Sequence, residues 1–186
     1  KAGGIPIGKT TLDELGMGGQ GISGHRGPTF NPYDPTHKHM VGGSSCGSAS
    51  VVASNIVPIA IGSDTGDSVR KPASYAGLVG FKPTWGRISR FGFFPFAPSL
   101  DHVAYFTRSV EDSAAILTIL SGYDEKDMTS SKKPVIDYEN NLKLHNSPQK
   151  VAVIKGIYES ITDQEILKSF DQIIKSLEEE GIKVNY

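Results

Sequence analysis

Apolar residues in this chain fall into short solid runs and helical stripes, punctuated by glycine and proline. Residues 1–43 are rich in glycine, proline and histidine; a short helix fits at Thr11–Leu15, and 24-GHRGPTFNPYDPTHKH-39 reads as a long ordered loop. From Ser45 to Asn55 the run SCGSASVVASN is small and weakly apolar all round, which suits a helix buried on every side. Pro58 ends it, and 58-PIAIGSD-64 reads as a buried strand. A second strand is expected at 78-LVGFKPT-84, then a turn at Trp85-Gly86. The clearest helix covers 109–121, with Ser109 as its cap, Asp112 as the capping-box partner and Gly122 as its stop.

The pattern changes after that helix. Residues 123–148 are polar, including 129-TSSKKP-134 and 145-HNSPQK-150, and read as a linker or excursion. A strand at 151-VAVIKG-156, a helix from about Thr162 to Glu180 and a strand at 182-IKVNY-186 follow. Ile166, Phe170, Ile173, Ile174 and Leu177 share one face of that helix and are expected in the core, while 178-EEE-180 is its solvated end. This β–α–β order predicts an α/β protein with helices packed on a sheet.

Composition narrows the class. Of 186 residues, 38% are hydrophobic and 21% charged, enough for a packed core, and the net charge of −1 comes without a Lys/Arg block. No footprint for nucleic acid or an anionic membrane follows from that balance. Cys46 is the single cysteine, which excludes an intrachain disulfide and suits a reducing compartment. The N-terminal residues lack the pattern of a signal peptide, and no apolar run approaches the ~18 residues of a membrane span, so a cytoplasmic protein is expected. Both ends, AGGIPIG and GIKVNY, look cut, as in a fragment of a longer protein.

Two glycine-serine clusters carry the chemistry. The first, 42-GGSSCGSAS-50, opens a helix with free N–H groups, but it lacks the lysine of a phosphate loop. It contains GxSxG, yet 34-DPTHKHMV-41 is a poor strand to lead into a nucleophile elbow, and Asp101 and His102 are adjacent and cannot complete a triad. The second, 62-GSDTGDSVR-70, follows the buried strand. There the N–H groups of Thr65, Gly66, Asp67 and Ser68 can converge into an oxyanion hole, with Ser68 beside it as nucleophile. Serine needs a base. With no histidine well placed, a neutral lysine acting through a second hydroxyl is the candidate. His37 and His39 read as part of a solvated loop, and no metal site is expected.

Together these clusters, GGSSCGSAS and GSDTGDSVRKPASYAGLVGFKPTWGRIS, resemble the amidase signature. The similarity runs on through GKTTLDELGMGG, NPYD, 98-PSLDHVAYFTRSVEDSAAIL-117 and 121-SGYDEKDMTS-130, and these flanks resemble the branch of A subunits of glutamyl-tRNA(Gln) amidotransferases. The resemblance implies an α/β fold with a mixed β-sheet core flanked by helices. Residues 1–130 would be a core segment, 131–150 a polar linker and 151–186 the start of a further β–α–β unit of the same domain.

It also implies a Ser–cis-Ser–Lys mechanism of amide hydrolysis. Ser68 would be the acyl-forming nucleophile, Ser44 the bridging serine on a cis peptide, and the N–H groups of Thr65, Gly66, Asp67 and Ser68 the oxyanion hole. Asp64, Arg70 and Ser45 would support them. The family's lysine lies upstream of residue 1, since neither Lys1 nor Lys9 has its context, and a chain without that base is expected to be inactive. Asp67 stands where the family usually has glycine, and its carboxylate would oppose a developing negative charge unless paired with Arg70 or Lys71 or pointed away. Cys46 replaces another usual glycine, as a tolerated small residue.

For this branch the implied substrate is glutamine and the implied partners are the B and C subunits. The chain itself would bind no cofactor. ATP and Mg²⁺ would be used by the partner, through which alone tRNA would be reached. The alternatives are a stand-alone amidase for another small amide and a catalytically disabled scaffold that binds a partner.

Overall fold

A computed structural model describes residues 3–143 and 150–186, and the chain divides into two compact units, Lys1–Lys143 and Leu144–Tyr186. Lys1, and positions 144–149 of the expected linker, lie outside the described residues.

The first unit contains a 3₁₀ turn (Glu14–Gly16), α1 (Cys46–Ala53), β1 (Ala60–Asp64), α2 (Arg70–Tyr75), β2 (Val79–Phe81), β3 (His102–Thr107), α3 (Val110–Leu120) and α4 (Tyr138–Lys143). Its sheet has the order β1-β3-β2, with both pairings antiparallel. The central strand β3 has no counterpart among the expected elements. Its alternation is hidden because both faces are covered: Ala104 and Phe106 join a cluster with Val41, Ala49, Val52 and Val69, while Tyr105 packs with Ile88 and Leu117. A strand buried on both faces reads as a solid apolar run, with no period to detect.

β1 is less buried than its apolar sequence implies, and Ile61 is 49% exposed. The reason is its place at the edge of the sheet. The helix expected at Thr11–Leu15 is instead the single turn at Glu14–Gly16. α1 has the expected small-residue character, with six of its eight residues buried, and Ser109 caps α3 as expected, its Oγ accepting the Asp112 N–H at 3.1 Å, while the return bond of a capping box, from the Ser109 N–H to the Asp112 carboxylate, is absent among the described residues.

The polar stretch after α3 is tied down over its first part. Asp127 Oδ2 accepts the Arg90 N–H at 2.8 Å, Arg87 donates to the Tyr138 hydroxyl at 2.9 Å, and the Tyr138 N–H donates to Thr118 Oγ1 at 3.0 Å. α4 thereby packs on α3 within the segment 131–150 expected as a linker. Polar residues here satisfy backbone groups, which composition alone cannot separate from solvation.

The second unit consists of β4 (Lys150–Ala152), α5 (Lys155–Glu159), α6 (Gln164–Glu179) and β5 (Lys183–Asn185). β4 and β5 pair in parallel, as a β–α–β unit requires. β4 stops short of the expected 151–156 because the chain turns into α5. Asp163 caps α6 by accepting the N–H groups of Glu165 and Ile166 at 2.9 and 3.1 Å. The stripe on α6 is only partly core: Ile174 is buried, but Ile166, Phe170 and Ile173 are exposed. Two strands of three residues each are too narrow to cover it.

Among the described residues no helix is long and apolar enough to cross a membrane. With the antiparallel sheet of the first unit and the parallel pair of the second, the strand arrangement is mixed and flanked by helices.

Candidate active site

The two glycine-serine clusters meet at the first turn of α1. The Ser45 N–H donates to the carbonyl oxygen of Ser68 at 3.2 Å. Ser45 also joins α1 to β1, since its hydroxyl donates to the Ser63 carbonyl at 3.2 Å and accepts the Ser63 N–H at 3.1 Å. Gly62 makes this approach possible: a Cβ there would lie 2.7 Å from Ser45 Oγ and 2.8 Å from a Val69 methyl. Any side chain at position 62 would push β1 off the serine loop.

Ser44 is fully buried, and its peptide bond with Gly43 is cis, the conformation that the resemblance implies. Its hydroxyl has no hydrogen-bond partner among the described residues, so it is not bonded to Ser68. A buried hydroxyl without a partner forfeits its hydration with nothing in return, which is uncommon. Ser68 is 7% exposed.

The turn around Ser68 is built by Asp64. Its fully buried carboxylate accepts the Val69 N–H at 3.0 Å and the Arg70 N–H at 3.2 Å, and it meets the Arg70 guanidinium at 2.9 and 3.2 Å. Burial by itself would push this carboxyl up, but the Arg70 side chain and the two N–H donors outweigh it and hold Asp64 below the ordinary carboxylate range. Bonding to Asp64 in turn pushes the Arg70 guanidinium up. Arg70 also donates to the Gly66 carbonyl. Among the described residues, the N–H groups of Gly66, Asp67 and Ser68 donate to no protein acceptor. The turn therefore keeps unpaired donors around the serine, as an anion-stabilising loop requires. Asp67 is half-exposed and bonded to Lys71 at 3.0 Å, one of the two pairings that its sequence position left open.

Two acidic residues outside the predicted set support the same loops. Asp13 is fully buried; its carboxylate accepts the Gly21 N–H, the Ser23 N–H and the Ser23 hydroxyl, each at 2.9 Å, and its own N–H donates to the Ser44 carbonyl at 3.0 Å. Burial would raise its carboxyl, but these donors hold it below the usual range. Asp101 accepts from Thr65 Oγ1 at 2.6 Å and from the N–H groups of Phe96 and Ala97 at 3.0 Å. It is lowered in the same way, against its burial. Nothing in the sequence marks either role, because Asp13 meets Ser44 and Asp101 meets Thr65 only across long stretches of chain. The neighbouring His102 takes no part: Nδ1–H donates to the Leu100 carbonyl at 2.6 Å and Nε2 faces Lys82 Nζ at 3.2 Å.

A cleft of about 330 Å³ is lined by Leu12, Glu14, Leu15, Gly16, Ser63, Thr65, Phe93, Phe94 and Phe96. A Cβ on Gly16 would lie 3.8 Å from Ser44 Oγ, so Gly16 lies between this cleft and the neighbourhood of the buried hydroxyl. Cys46 is fully buried, with its thiol pushed up by burial, and behaves as a small packing residue. No strand leads into the first cluster, where Met40 forms only an isolated bridge to Phe30, so a nucleophile-elbow geometry at GxSxG is absent from the described residues. Among the described residues no group of three His, Cys, Asp or Glu side chains could hold a metal ion.

Known proteins are similar to this chain in sequence and in fold. The chain is 44% identical over 181 residues to the A subunit of the glutamyl-tRNA(Gln) amidotransferase of Macrococcus caseolyticus, covering 97% of this chain and 37% of that protein. It is 44% identical over 190 residues to the corresponding A subunit of Prochlorococcus marinus, covering 100% and 38%. The crystal structure of the Thermotoga maritima A subunit superimposes with a TM-score of 0.90 at 41% identity, over 97% of this chain and 39% of that one. An amidase family protein from Bacillus anthracis matches with a TM-score of 0.83 at 30% identity, over 96% and 37%. The chain thus spans less than half the length of these relatives. The model of the family described as Amidase matches residues 1–186, and the chain belongs to that amidase family.

Proposed function

We propose that the protein containing this chain hydrolyses the side-chain amide of glutamine as the A subunit of a glutamyl-tRNA(Gln) amidotransferase, with Ser68 as nucleophile and Ser44 as proton relay. The observation that carries this reading is the fully buried Ser44 hydroxyl without a partner, on a loop hydrogen-bonded to the Ser68 carbonyl. In this reading Ser68 Oγ attacks the amide carbonyl and forms the acyl ester. Its proton passes to Ser44, and Ser44 passes its own to a neutral lysine outside residues 1–186. The N–H groups of Thr65 through Ser68 take the oxyanion. When the tetrahedral intermediate collapses, the C–N bond breaks, the amine takes a proton and leaves as ammonia, and water then hydrolyses the ester.

The identity to curated A subunits over nearly the whole chain supports glutamine over other small amides. In this reading the protein works in the cytoplasm with B and C subunits. ATP, Mg²⁺ and tRNA belong to the partner's half-reaction, in which ammonia amidates glutamate on the tRNA. Ammonia release from glutamine by the full-length protein, with and without the partner subunits, tests this. Glutaminase activity that the partners stimulate and Ser68→Ala abolishes is expected. Partner binding without any amide hydrolysis would instead identify a scaffold, and hydrolysis of other amides but not glutamine a stand-alone amidase.

A further inference from the structure

Asp67 places a carboxylate on the residue next to Ser68. A negative charge there opposes the charge that develops on an oxyanion. Two cations are near enough to answer it, and the structure divides them. The Arg70 guanidinium is committed to Asp64 and to the Gly66 carbonyl. Lys71 is bonded to Asp67, at 3.0 Å, on the first turn of α2. The Lys71 N–H also donates to the Asp67 carbonyl at 2.8 Å, so backbone and side chain fix the same pair.

The lysine is held as well as paired. Its side chain is 27% exposed, against 53% for Asp67. A Cβ on Gly19 would lie 2.7 Å from Lys71 Nζ, so the ammonium occupies the space that the missing side chain leaves. The loop carrying Gly19 is the one that Asp13 anchors through the Gly21 N–H. Gly19, Asp67 and Lys71 thus form one assembly beside the oxyanion loop. A partly exposed i,i+4 ion pair adds little to stability.

We infer that Lys71 is a positioning residue for the reaction: by pairing Asp67 it keeps that carboxylate from opposing negative charge at Ser68. The inference rests on the reading of Ser68 as the acyl-forming serine. Its test uses a neutral alkyl fluorophosphonate on the full-length protein, since that reaction builds negative charge on a phosphoryl oxygen whatever the natural amide is. Ser68 Oγ forms the O–P bond, the P–F bond breaks with fluoride leaving, and the serine proton passes to the relay.

Lys71→Met is expected to slow labelling, and ammonia release from glutamine, by about tenfold with an unchanged Tm. The deficit should shrink in 1 M salt, where the screening length falls to about 3 Å. Adding Asp67→Gly to Lys71→Met should restore most of the lost rate. That rescue would not follow if Lys71 served only to pack α2 or to bind substrate. Unchanged labelling in Lys71→Met, or no recovery in the double variant, overturns the inference while leaving Ser68 as nucleophile. Labelling or turnover that survives Ser68→Ala overturns the reading of the site and the inference with it.

Discussion

Thr65 Oγ1 donates to Asp101 Oδ1 at 2.6 Å, which fastens the start of the serine turn to the loop that opens β3. Asp101 also holds the N–H groups of Phe96 and Ala97, so a single carboxylate positions both the proposed oxyanion loop and the phenylalanine wall of the cleft. Asp101→Asn keeps the size but loses the charge and one acceptor. It is expected to cost about 1–3 kcal/mol of stability and to lower kcat by roughly tenfold or more, since misplacement near the reacting atoms is expensive. Denaturant melts and ammonia-release kinetics check this; a variant with wild-type kcat would detach Asp101 from the site.

Ser44 offers a separation of stability from activity. Its hydroxyl is buried and has no partner among the described residues, so the bond that Ser44→Ala removes is the one to the proposed lysine. The full-length variant should lose only about 1 kcal/mol of stability, the net contribution of one hydrogen bond. Proton relay through a side chain contributes about 10²–10⁴ in rate, and amide hydrolysis should fall by that much. A stable variant with unimpaired turnover would exclude the relay.

The pair Asp64–Arg70 predicts an acid response. The folded-state pKa of Asp64 lies below its unfolded value, so its contribution is full above the unfolded pKa of ~3.9 and is lost as pH falls through the lower folded value. Arg70→Ala strands a buried carboxylate that retains only two N–H donors. It should destabilise by about 1–3 kcal/mol at pH 7, discounted for the half-exposed guanidinium. It should also unfold at a higher pH than wild type on acid titration. Superimposable acid-unfolding curves would contradict this.

Two glycines of the site should differ in what a methyl group costs them. A Cβ on Gly43 would lie 2.1 Å from Asp13 Oδ2, with fixed loop around it, whereas a Cβ on Gly66 meets nothing within 4 Å. Gly43→Ala is expected to lose about 1–3 kcal/mol or more, and Gly66→Ala to lose well under that. Thermal melts of the two variants decide it, and equal losses would mean that Asp13 does not pack as described.

Much of this was legible in one dimension because local rules sufficed. α3 announces itself by Ser109, Asp112 and Gly122, and α1 by a run of small residues between serine and proline, since caps and breakers act within a few residues. The paired serine clusters were legible too, because the chemistry confines them to short, unusual strings. β3 was not, because burial on both faces erases the alternation that marks a strand. The stripe of α6 misled for the opposite reason: period 3.6 reports amphipathicity, and Ile166, Phe170 and Ile173 satisfy it while remaining exposed over a two-stranded sheet.

By itself, then, the sequence determined the elements whose signals are local, the two serine clusters and the family to which they point. Only the tertiary structure decided what touches them: Asp13 on the cis-serine loop, Asp101 on Thr65, and Lys71 rather than Arg70 on Asp67. The physical reason is range. Capping and periodicity are written within one or two turns of chain, whereas Asp13 and Asp101 meet the serine loops across long stretches of it, and the choice of Lys71 over Arg70 follows from Asp64 having claimed the guanidinium.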